Sequence, residues 1–270
     1  MSRALGVAAG VAALAAIALV GLAVFPVGLS PAAPPVPSPV PTTPESTPPP
    51  SPPASPTPSA SASPRPAPPV LRLTGPVPTK GSGGFEYATT AGPVHGRSGK
   101  LLRYRVAVEK GSGEDLAEFA AAVDGALGHP LSWTAGGLRM QRVARGSPHD
   151  FTVHLATRET AGRMCAAGGV NITVRGRPYT SCRIGNSVIL NLDRWRLSVD
   201  HFVAAKVPLS TYRDYVVNHE VGHRLGHRHE LCPRRGRPAP VMMQQTLDLK
   251  GCTANAWPFL NEKRYAGPRK

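Results

Sequence analysis

Short apolar runs, several with alternating apolar and polar residues, predict strands along the second half of the chain. The predicted strands are residues 101–109, 138–144, 151–156, 170–175 and 187–193. Helical spacing of apolar residues predicts helices at 112–127 and around 159–165, and a longer helix capped by Ser210. Together the segments predict an α+β fold, in which helices pack on a small twisted mixed sheet.

The chain begins with an apolar segment. Residues 4–25 form an uncharged run of 22 residues, which would span about 33 Å as a helix, close to the thickness of a bilayer core. We expect a single-pass membrane anchor, with a cleaved signal peptide as the alternative. Because Arg3 precedes the run, the positive-inside rule places the N-terminus in the cytoplasm and all later residues outside the cell.

The next segment is rich in proline. Residues 26–70 hold 19 of the 31 prolines, mixed with Ser, Thr and Ala. This composition favours extended polyproline II and provides too little apolar surface to fold, so we expect a disordered linker. At about 3.1 Å per residue, the linker could reach on the order of 140 Å from the membrane. The predicted organisation is a membrane helix or signal peptide at 1–25, a linker at 26–70 and one domain at 71–270.

The chain is strongly basic. Its net charge is +15, and residues 71–270 contribute +14, from 29 Lys and Arg against 15 Asp and Glu. This balance predicts an anionic partner, and a cell-wall polymer or lipid head groups would fit an exported domain. A solvated basic surface explains the charge equally well. The predicted export, and the lack of an RNA-binding aromatic motif or finger-type Cys/His spacing, argue against nucleic acid.

The chain has four cysteines, and none forms a C-x-x-C pair. An even number of cysteines in an exported domain predicts two disulfides, and four cysteines allow three pairings. We favour the two local pairs, Cys165 with Cys182 and Cys232 with Cys252, with buried free thiols as the alternative. Each local pair would close a loop of roughly 20 residues and contribute about 3 kcal/mol.

The long predicted helix carries the candidate chemistry. His219 and His223 are four residues apart, so their imidazoles lie on one face of the helix and can bind one zinc ion. Glu220 is rotated about 100° from His219, which places its carboxylate beside the metal without requiring that it be a ligand. This is the position of a general base in an H-E-x-x-H site.

The motif extends beyond the helix. Gly226 can adopt a positive φ that ends the helix, and the following turn would bring His229 back to the same metal. His227 continues the four-residue spacing, but a straight helix cannot direct three successive turns at one tetrahedral ion, so we assign His229 as the third ligand. A glutamate ligand from Glu230 or Glu262 is a weaker alternative, because neither lies in a matching motif.

These residues resemble the signature of the metzincin clan of zinc metalloendopeptidases, which here consists of His219, Glu220, His223, Gly226 and His229. The segment Pro240–Gln244 is similar to the methionine turn of that clan, with Met242 as the favoured methionine and Met243 as the alternative. The surrounding segments are similar to an uncharacterised family of exported actinobacterial metzincin-like proteins, over most of residues 71–258. The resemblance implies a metzincin-like catalytic domain with a long active-site helix, but it names no substrate.

The resemblance also implies how a peptide would bind. The edge strand before the active-site helix, which we predict at residues 187–193, would accept an extended peptide as an added strand. An ordinary sheet edge is the alternative interpretation.

The expected function is that of an exported zinc-dependent metalloendopeptidase, in which His219, His223 and His229 hold Zn²⁺ and Glu220 is the general base for a zinc-activated water. The expected substrate is a peptide or protein, and cross-bridge peptides of the cell wall are one possible form of it. A non-catalytic basic module that binds the cell wall or membrane, with a structural zinc site, is the alternative.

Overall fold

The computed structural model describes residues 67–270 of the chain. The apolar segment at 4–25 and nearly all of the proline-rich linker lie outside the described residues. Within 67–270, no helix combines the length and the apolar character that crossing a bilayer requires.

Five α-helices occur in the described part of the chain, and the predicted ones are present with shifted ends. The helices are α1 (Leu116–Gly128), α2 (Arg158–Ala167), α3 (Leu192–Leu197), α4 (Asp200–Ala204) and α5 (Leu209–Arg224). Helix α1 begins four residues later than predicted, because the carboxylate of Asp115 accepts a hydrogen bond from the backbone N–H of Glu118 and caps the first turn.

The strands within residues 67–270 form one large sheet and two small hairpins. They are β1 (Phe85–Tyr87), β2 (Val94–His95), β3 (Lys100–Glu109), β4 (Leu138–Arg142), β5 (Phe151–Ala156), β6 (Thr173–Val174), β7 (Arg177–Pro178), β8 (Cys182–Ile184), β9 (Ser187–Asn191), β10 (Phe259–Leu260) and β11 (Lys263–Arg264). Strands β6 and β7 pair with each other, as do β10 and β11. The strand predicted at 170–175 is therefore wrong in length and in place, since only β6 forms and it lies outside the large sheet.

The large sheet is mixed, as the α+β prediction requires. Its order is β2-β4-β3-β5-β9-β8, and β1 pairs with the end of β3. Strands β4, β3, β5 and β9 are parallel, whereas β1, β2 and β8 pair antiparallel with their neighbours. Helix α1 makes the crossover between the parallel strands β3 and β4.

The prediction that residues 187–193 form the edge strand is wrong. Strand β9 ends at Asn191 and lies inside the sheet, between β5 and β8. It ends there because the side chain of Asn191 accepts a hydrogen bond from the N–H of Asp193 and caps helix α3. The strand at this edge of the sheet is β8, which runs antiparallel to β9.

Both faces of the sheet are covered. Every residue of the central strand β5 is buried. One face packs against α1, α3 and α5, with Val153, Phe119 and Val217 in the main core. The other face packs against α2, in a smaller cluster that contains Ala161 and Ile189.

Both predicted disulfides are confirmed. Cys165–Cys182 joins helix α2 to the edge strand β8, and its partners are 17 residues apart. Cys232–Cys252 joins two loops that follow α5, and its partners are 20 residues apart. The disulfides therefore attach the edge strand and the segment after His229 to their neighbours in the fold.

Candidate metal centre

Helix α5 carries the first two candidate ligands, and its start differs from the prediction. Ser210 is exposed and does not cap the helix, which begins at Leu209 after Pro208. The N–H of Leu209 donates to the carbonyl oxygen of Val70 over 2.8 Å. The hydrogen bond to residue 70 and the proline at 208 therefore mark the start of the helix, and no side chain caps it.

The middle of α5 is held by hydrogen bonds to the loop before β4. The hydroxyl of Ser132 donates to the side-chain oxygen of Asn218 over 2.7 Å, and the indole N–H of Trp133 donates to the carbonyl oxygen of Asn218 over 2.9 Å. Residues 219 and 220 follow directly and are each 5% exposed. These hydrogen bonds therefore fix the rotation of the helix about its axis next to the side chains of His219 and Glu220.

The turn after α5 brings the third imidazole back. The helix ends at Arg224, and Gly226 adopts φ 94°, the positive value expected from the sequence. The N–H of His227 donates to the carbonyl oxygen of Gly222 over 3.0 Å and closes the turn. As a result, Nε2 of His229 lies 3.1 Å from Nε2 of His223.

The structure brings together the three histidines that the sequence predicts as ligands. Each ring contributes one nitrogen, and the three nitrogens, from His219, His223 and His229, lie within 4.8 Å of one another. Among residues 67–270, this is the group of His, Cys, Asp or Glu side chains whose spacing suits a metal ion. His227 instead stacks on the ring of Trp133, with ring centroids 4.5 Å apart. The carboxylate of Glu230 pairs with Arg264 at 2.8 Å and is outside the cluster.

Hydrogen bonds to carbonyl groups orient two of the rings. Nδ1 of His219 lies 2.8 Å from the carbonyl oxygen of Val241, and Nδ1 of His223 lies 2.8 Å from that of His227. A carbonyl oxygen only accepts, so each Nδ1 carries the proton and each Nε2 retains its lone pair. Metal-binding histidines use this arrangement, in which an outer partner fixes the tautomer and the ring orientation.

The electrostatics of the cluster favour neutral imidazoles. Burial lowers the pKa of His219 well below its ordinary value, and the charge of His223 lowers it further. Burial also lowers the pKa of His223, and it lowers the pKa of His229 to about 4. Neutral imidazole is the form that binds a metal. Tetrahedral nitrogen ligands of a zinc-sized ion lie about 3.3 Å apart, close to the 3.1 Å between His223 and His229. The cluster could therefore hold a divalent metal ion.

Glu220 lies beside the cluster and has an unsatisfied oxygen. Its Oε2 is buried and has no hydrogen-bond partner among residues 67–270. Burial raises the pKa of Glu220 to about 8, and the positive charge of Arg183 opposes this rise. Burying a carboxyl group without a hydrogen-bond partner lowers the stability of the fold, and such groups occur mainly at functional sites.

The comparisons with known proteins identify a family. A family model described as "Protein of unknown function (DUF3152)" matches residues 71–260, which is 190 of the 270 residues. The chain belongs to this family. No curated protein and no solved structure matches the chain. The description of DUF3152 assigns no chemistry, so the function of this DUF3152 domain has to be argued from the site itself.

The candidate centre of the DUF3152 domain opens into a cleft of about 330 Å³. Strand β8 and the residues before it line the cleft, as do Gln244, Thr246 and Leu247 at the end of the Pro240–Gln244 turn and just after it. The side chains of His219, Glu220, His223 and His229 all line this cleft. A ligand in the cleft would therefore contact both the edge strand and the histidine cluster.

The two methionines of the turn have different surroundings. A Cβ atom added to Gly222 would lie 2.3 Å from Sδ of Met242, so Met242 packs directly beneath the H-E-x-x-H segment. Met243 instead packs beside the Cys232–Cys252 disulfide. Met242 is therefore the methionine beneath the cluster, as favoured from the sequence.

Sequence reasoning missed two residues of the site. The ring of Tyr215 lies 5.4 Å from that of His219, and its hydroxyl donates to the carbonyl oxygen of Met243 over 3.1 Å. Tyr215 precedes His219 by four residues on the same helix, and this spacing could have identified it from the sequence. Arg183 of strand β8 lines the cleft beside Glu220, but it is 37 residues away in the sequence, and only the sheet topology brings the two together.

Proposed function

We propose that this protein is an exported zinc-dependent metalloendopeptidase with a metzincin-like catalytic domain. His219, His223 and His229 would hold Zn²⁺, and Glu220 would be the catalytic base. The observation that carries the proposal is the buried, unpartnered Oε2 of Glu220 beside three imidazoles that converge on one point. A purely structural metal site needs no such carboxylate.

Zinc, when bound, would supply a Lewis acid that acidifies water and polarises a carbonyl oxygen. The chain itself would supply the proton transfers. Glu220 would accept a proton from the attacking water as the water oxygen bonds to the scissile carbonyl carbon, and would return it to the nitrogen as the C–N bond breaks. Burial raises the pKa of Glu220 to about 8, and the neighbouring positive charge of Arg183 acts in the opposite direction, towards the carboxylate form that this role requires.

The edge strand supports a peptide as the substrate. Strand β8 has one neighbour in the sheet, β9, and it forms a wall of the cleft. An extended peptide could add to β8 by main-chain hydrogen bonds, which would hold it over the histidine cluster. This assigns to β8 the role that the sequence analysis gave to residues 187–193.

Export is part of the proposal. The two disulfides are typical of an oxidising compartment, and the apolar segment at 4–25 would anchor the domain to the membrane or direct its secretion. The linker would then set how far the cleft can reach from the membrane.

Binding without catalysis is the competing function, and the +14 charge of residues 71–270 is the observation that favours it. A basic module could dock on an anionic cell-wall polymer or on lipid head groups, with a structural zinc ion. It would need neither the unpartnered Glu220 nor an open cleft beside the histidines.

Substitution of Glu220 tests the proposal. The full-length protein, with and without Glu220→Ala, is incubated with a peptide library, and its zinc content is measured in parallel. We expect the variant to keep zinc and to lose cleavage. Peptide cleavage by the variant at the wild-type rate would show that Glu220 is not the base. Salt-sensitive wall binding by a wild-type protein that cleaves no peptide would favour the binding module.

A further inference from the structure

A second cavity adjoins the metal centre and is lined by positive charge. It has a volume of about 450 Å³ and shares Arg183, His223 and His229 with the surroundings of the centre. Its charged lining residues are Arg183, Arg228 and Lys270, and no Asp or Glu lines it. We call this cavity the cationic pocket. A concentration of cations beside the proposed catalytic cleft attracts an anionic group.

Arg183 differs from the partly buried arginines that form ion pairs in this domain. Arg142, Arg158 and Arg264 each form an ion pair with a carboxylate at 2.7–3.0 Å. Arg183 forms no ion pair with any carboxylate among residues 67–270, and its buried Nε has no hydrogen-bond partner there. A guanidinium group held without a partner in a cavity wall is available for a ligand.

The fold holds Arg183 between the two cavities. The residue lies in strand β8, paired with Val188 of β9, and it follows Cys182, which is bonded to Cys165. It lines both the cleft and the cationic pocket.

Lys270 supplies a second cation at the same place. Its backbone N–H donates to the carbonyl oxygen of His229 over 3.1 Å, so it is tied to the third candidate ligand. Its Nζ donates to the side-chain oxygen of Gln244, which lines the cleft. An amide oxygen accepts this hydrogen bond without neutralising the ammonium charge.

We propose that the cationic pocket binds a carboxylate group of the peptide substrate, with Arg183 as the main contact and Lys270 as the second. The inference rests on the proposed peptidase function and adds a substrate class to it, namely acidic peptides. A guanidinium group forms paired charge-assisted hydrogen bonds with a carboxylate, and its partial burial strengthens them. The carboxylate could belong to an Asp or Glu side chain or to the free C-terminus of a peptide.

Peptide binding tests the pocket separately from catalysis. The probes are alanine hexapeptides with a neutral fluorophore at the N-terminus. One set has a C-terminal amide and one Glu or one Gln at each position in turn, and another is neutral except for a free C-terminal carboxylate. Binding to zinc-loaded, full-length protein carrying Glu220→Gln is measured by fluorescence anisotropy. The two sets distinguish a side-chain carboxylate from a terminal one.

We expect at least one acidic peptide to bind about 10–100-fold more tightly than its neutral counterpart, the range for one charge-assisted interaction. Arg183→Gln should remove most of this preference, Arg183→Lys should retain part of it, and Lys270→Gln should reduce it. Arg97→Gln removes the same charge from an exposed loop at the far edge of the sheet and should leave the preference intact. Equal binding of Glu and Gln peptides, or an equal effect of Arg97→Gln and Arg183→Gln, would overturn the inference.

Cleavage by the wild-type protein separates the two proposals. If acidic peptides are bound through Arg183 but nothing is cleaved, the peptidase proposal fails and the carboxylate site stands. If neutral and acidic peptides are bound and cleaved with equal efficiency, the peptidase proposal stands and the carboxylate site fails.

Discussion

The Nδ1 atom of His219 donates a hydrogen bond to the carbonyl oxygen of Val241 over 2.8 Å. This bond connects helix α5 to the turn that holds Met242, across 22 positions of sequence. The carbonyl oxygen of His227 accepts the corresponding hydrogen bond from Nδ1 of His223. Because both acceptors are backbone atoms, the orientation of the two rings depends on the packing of the turns that carry them, and packing changes there should alter metal affinity.

The first prediction concerns the choice of ligands. Loss of a hydrogen bond to a ligand ring lowers metal affinity by about 10–100-fold. We expect a larger drop in zinc affinity when alanine replaces His219, His223 or His229, because the ligand itself is then lost. His227→Ala should keep zinc, because its ring stacks on Trp133 and only its backbone carbonyl bonds to the cluster. Zinc content after dialysis against a competing chelator measures the difference. Loss of zinc in His227→Ala, with retention in His229→Ala, would reverse the assignment.

The second prediction concerns the close contact beneath the helix. In Gly222→Ala, the new methyl group would meet Sδ of Met242 at 2.3 Å and Cζ2 of Trp133 at 2.7 Å. Overpacking of this kind costs about 1–3 kcal/mol, and the higher helix propensity of alanine offsets at most about 1 kcal/mol of it. We expect lower stability and weaker zinc binding.

Gly125→Ala is the matched control. Gly125 is an exposed helical glycine in α1, and a Cβ atom there would meet nothing within 4 Å. This variant should gain up to about 1 kcal/mol from helix propensity alone. Urea denaturation compares the two variants. An equal gain in both would mean that the space beneath Gly222 is not tightly filled.

The residues that could be predicted from the sequence are those whose signal is local. The H-E-x-x-H spacing places His219 and His223 on one face of a helix, and Gly226 permits the turn that returns His229. Strand β5 was predicted with its observed bounds, because apolar and polar residues alternate along it. Such features depend on residues a few positions apart.

The features that could not be predicted depend on contacts between distant segments. Strand β8 has only three residues, and its position at the sheet edge follows from pairing with β9, so residues 187–193 were wrongly placed at that edge. Arg183 reaches the cleft only through this pairing. The start of α5 depends on a hydrogen bond from residue 209 to residue 70, which no local pattern reveals.

The third prediction concerns the disulfides. The two crosslinks span 17 and 20 residues, so the chain-entropy model predicts a similar contribution of about 3 kcal/mol from each. Replacing Cys165 and Cys182 by alanine should mainly weaken peptide binding, because Cys182 is in the edge strand. Replacing Cys232 and Cys252 should mainly weaken zinc binding, because Cys232 follows His229, the third candidate ligand, by three residues. Denaturation curves, zinc titration and peptide binding of the two double variants test this; the opposite pattern of losses would contradict it.

The fourth prediction concerns stability in acid and depends on a histidine remote from the metal centre. His154 of strand β5 is 7% exposed, its ring packs edge-on against Phe85, and its Nδ1 has no hydrogen-bond partner among residues 67–270. Burial lowers the pKa of His154 to about 4, and the positive charge of Arg105 acts in the same direction. The other ring that faces it belongs to Tyr87.

Below pH 6.5 the unfolded chain binds a proton at His154 and the folded protein does not, so the free energy of unfolding should fall as the pH drops from about 6.5 to about 4. The loss from this group is about 3 kcal/mol, from a pKa difference of roughly 2.5 units. His154→Leu should remove it, so the stability of the variant relative to wild type should rise as the pH falls. The candidate zinc ligands also have lowered pKa values, but they are present in both proteins and cancel in the difference. Urea denaturation at pH 7.5 and pH 5 measures the effect, and an unchanged difference between the two proteins would show that His154 is protonated in the folded state.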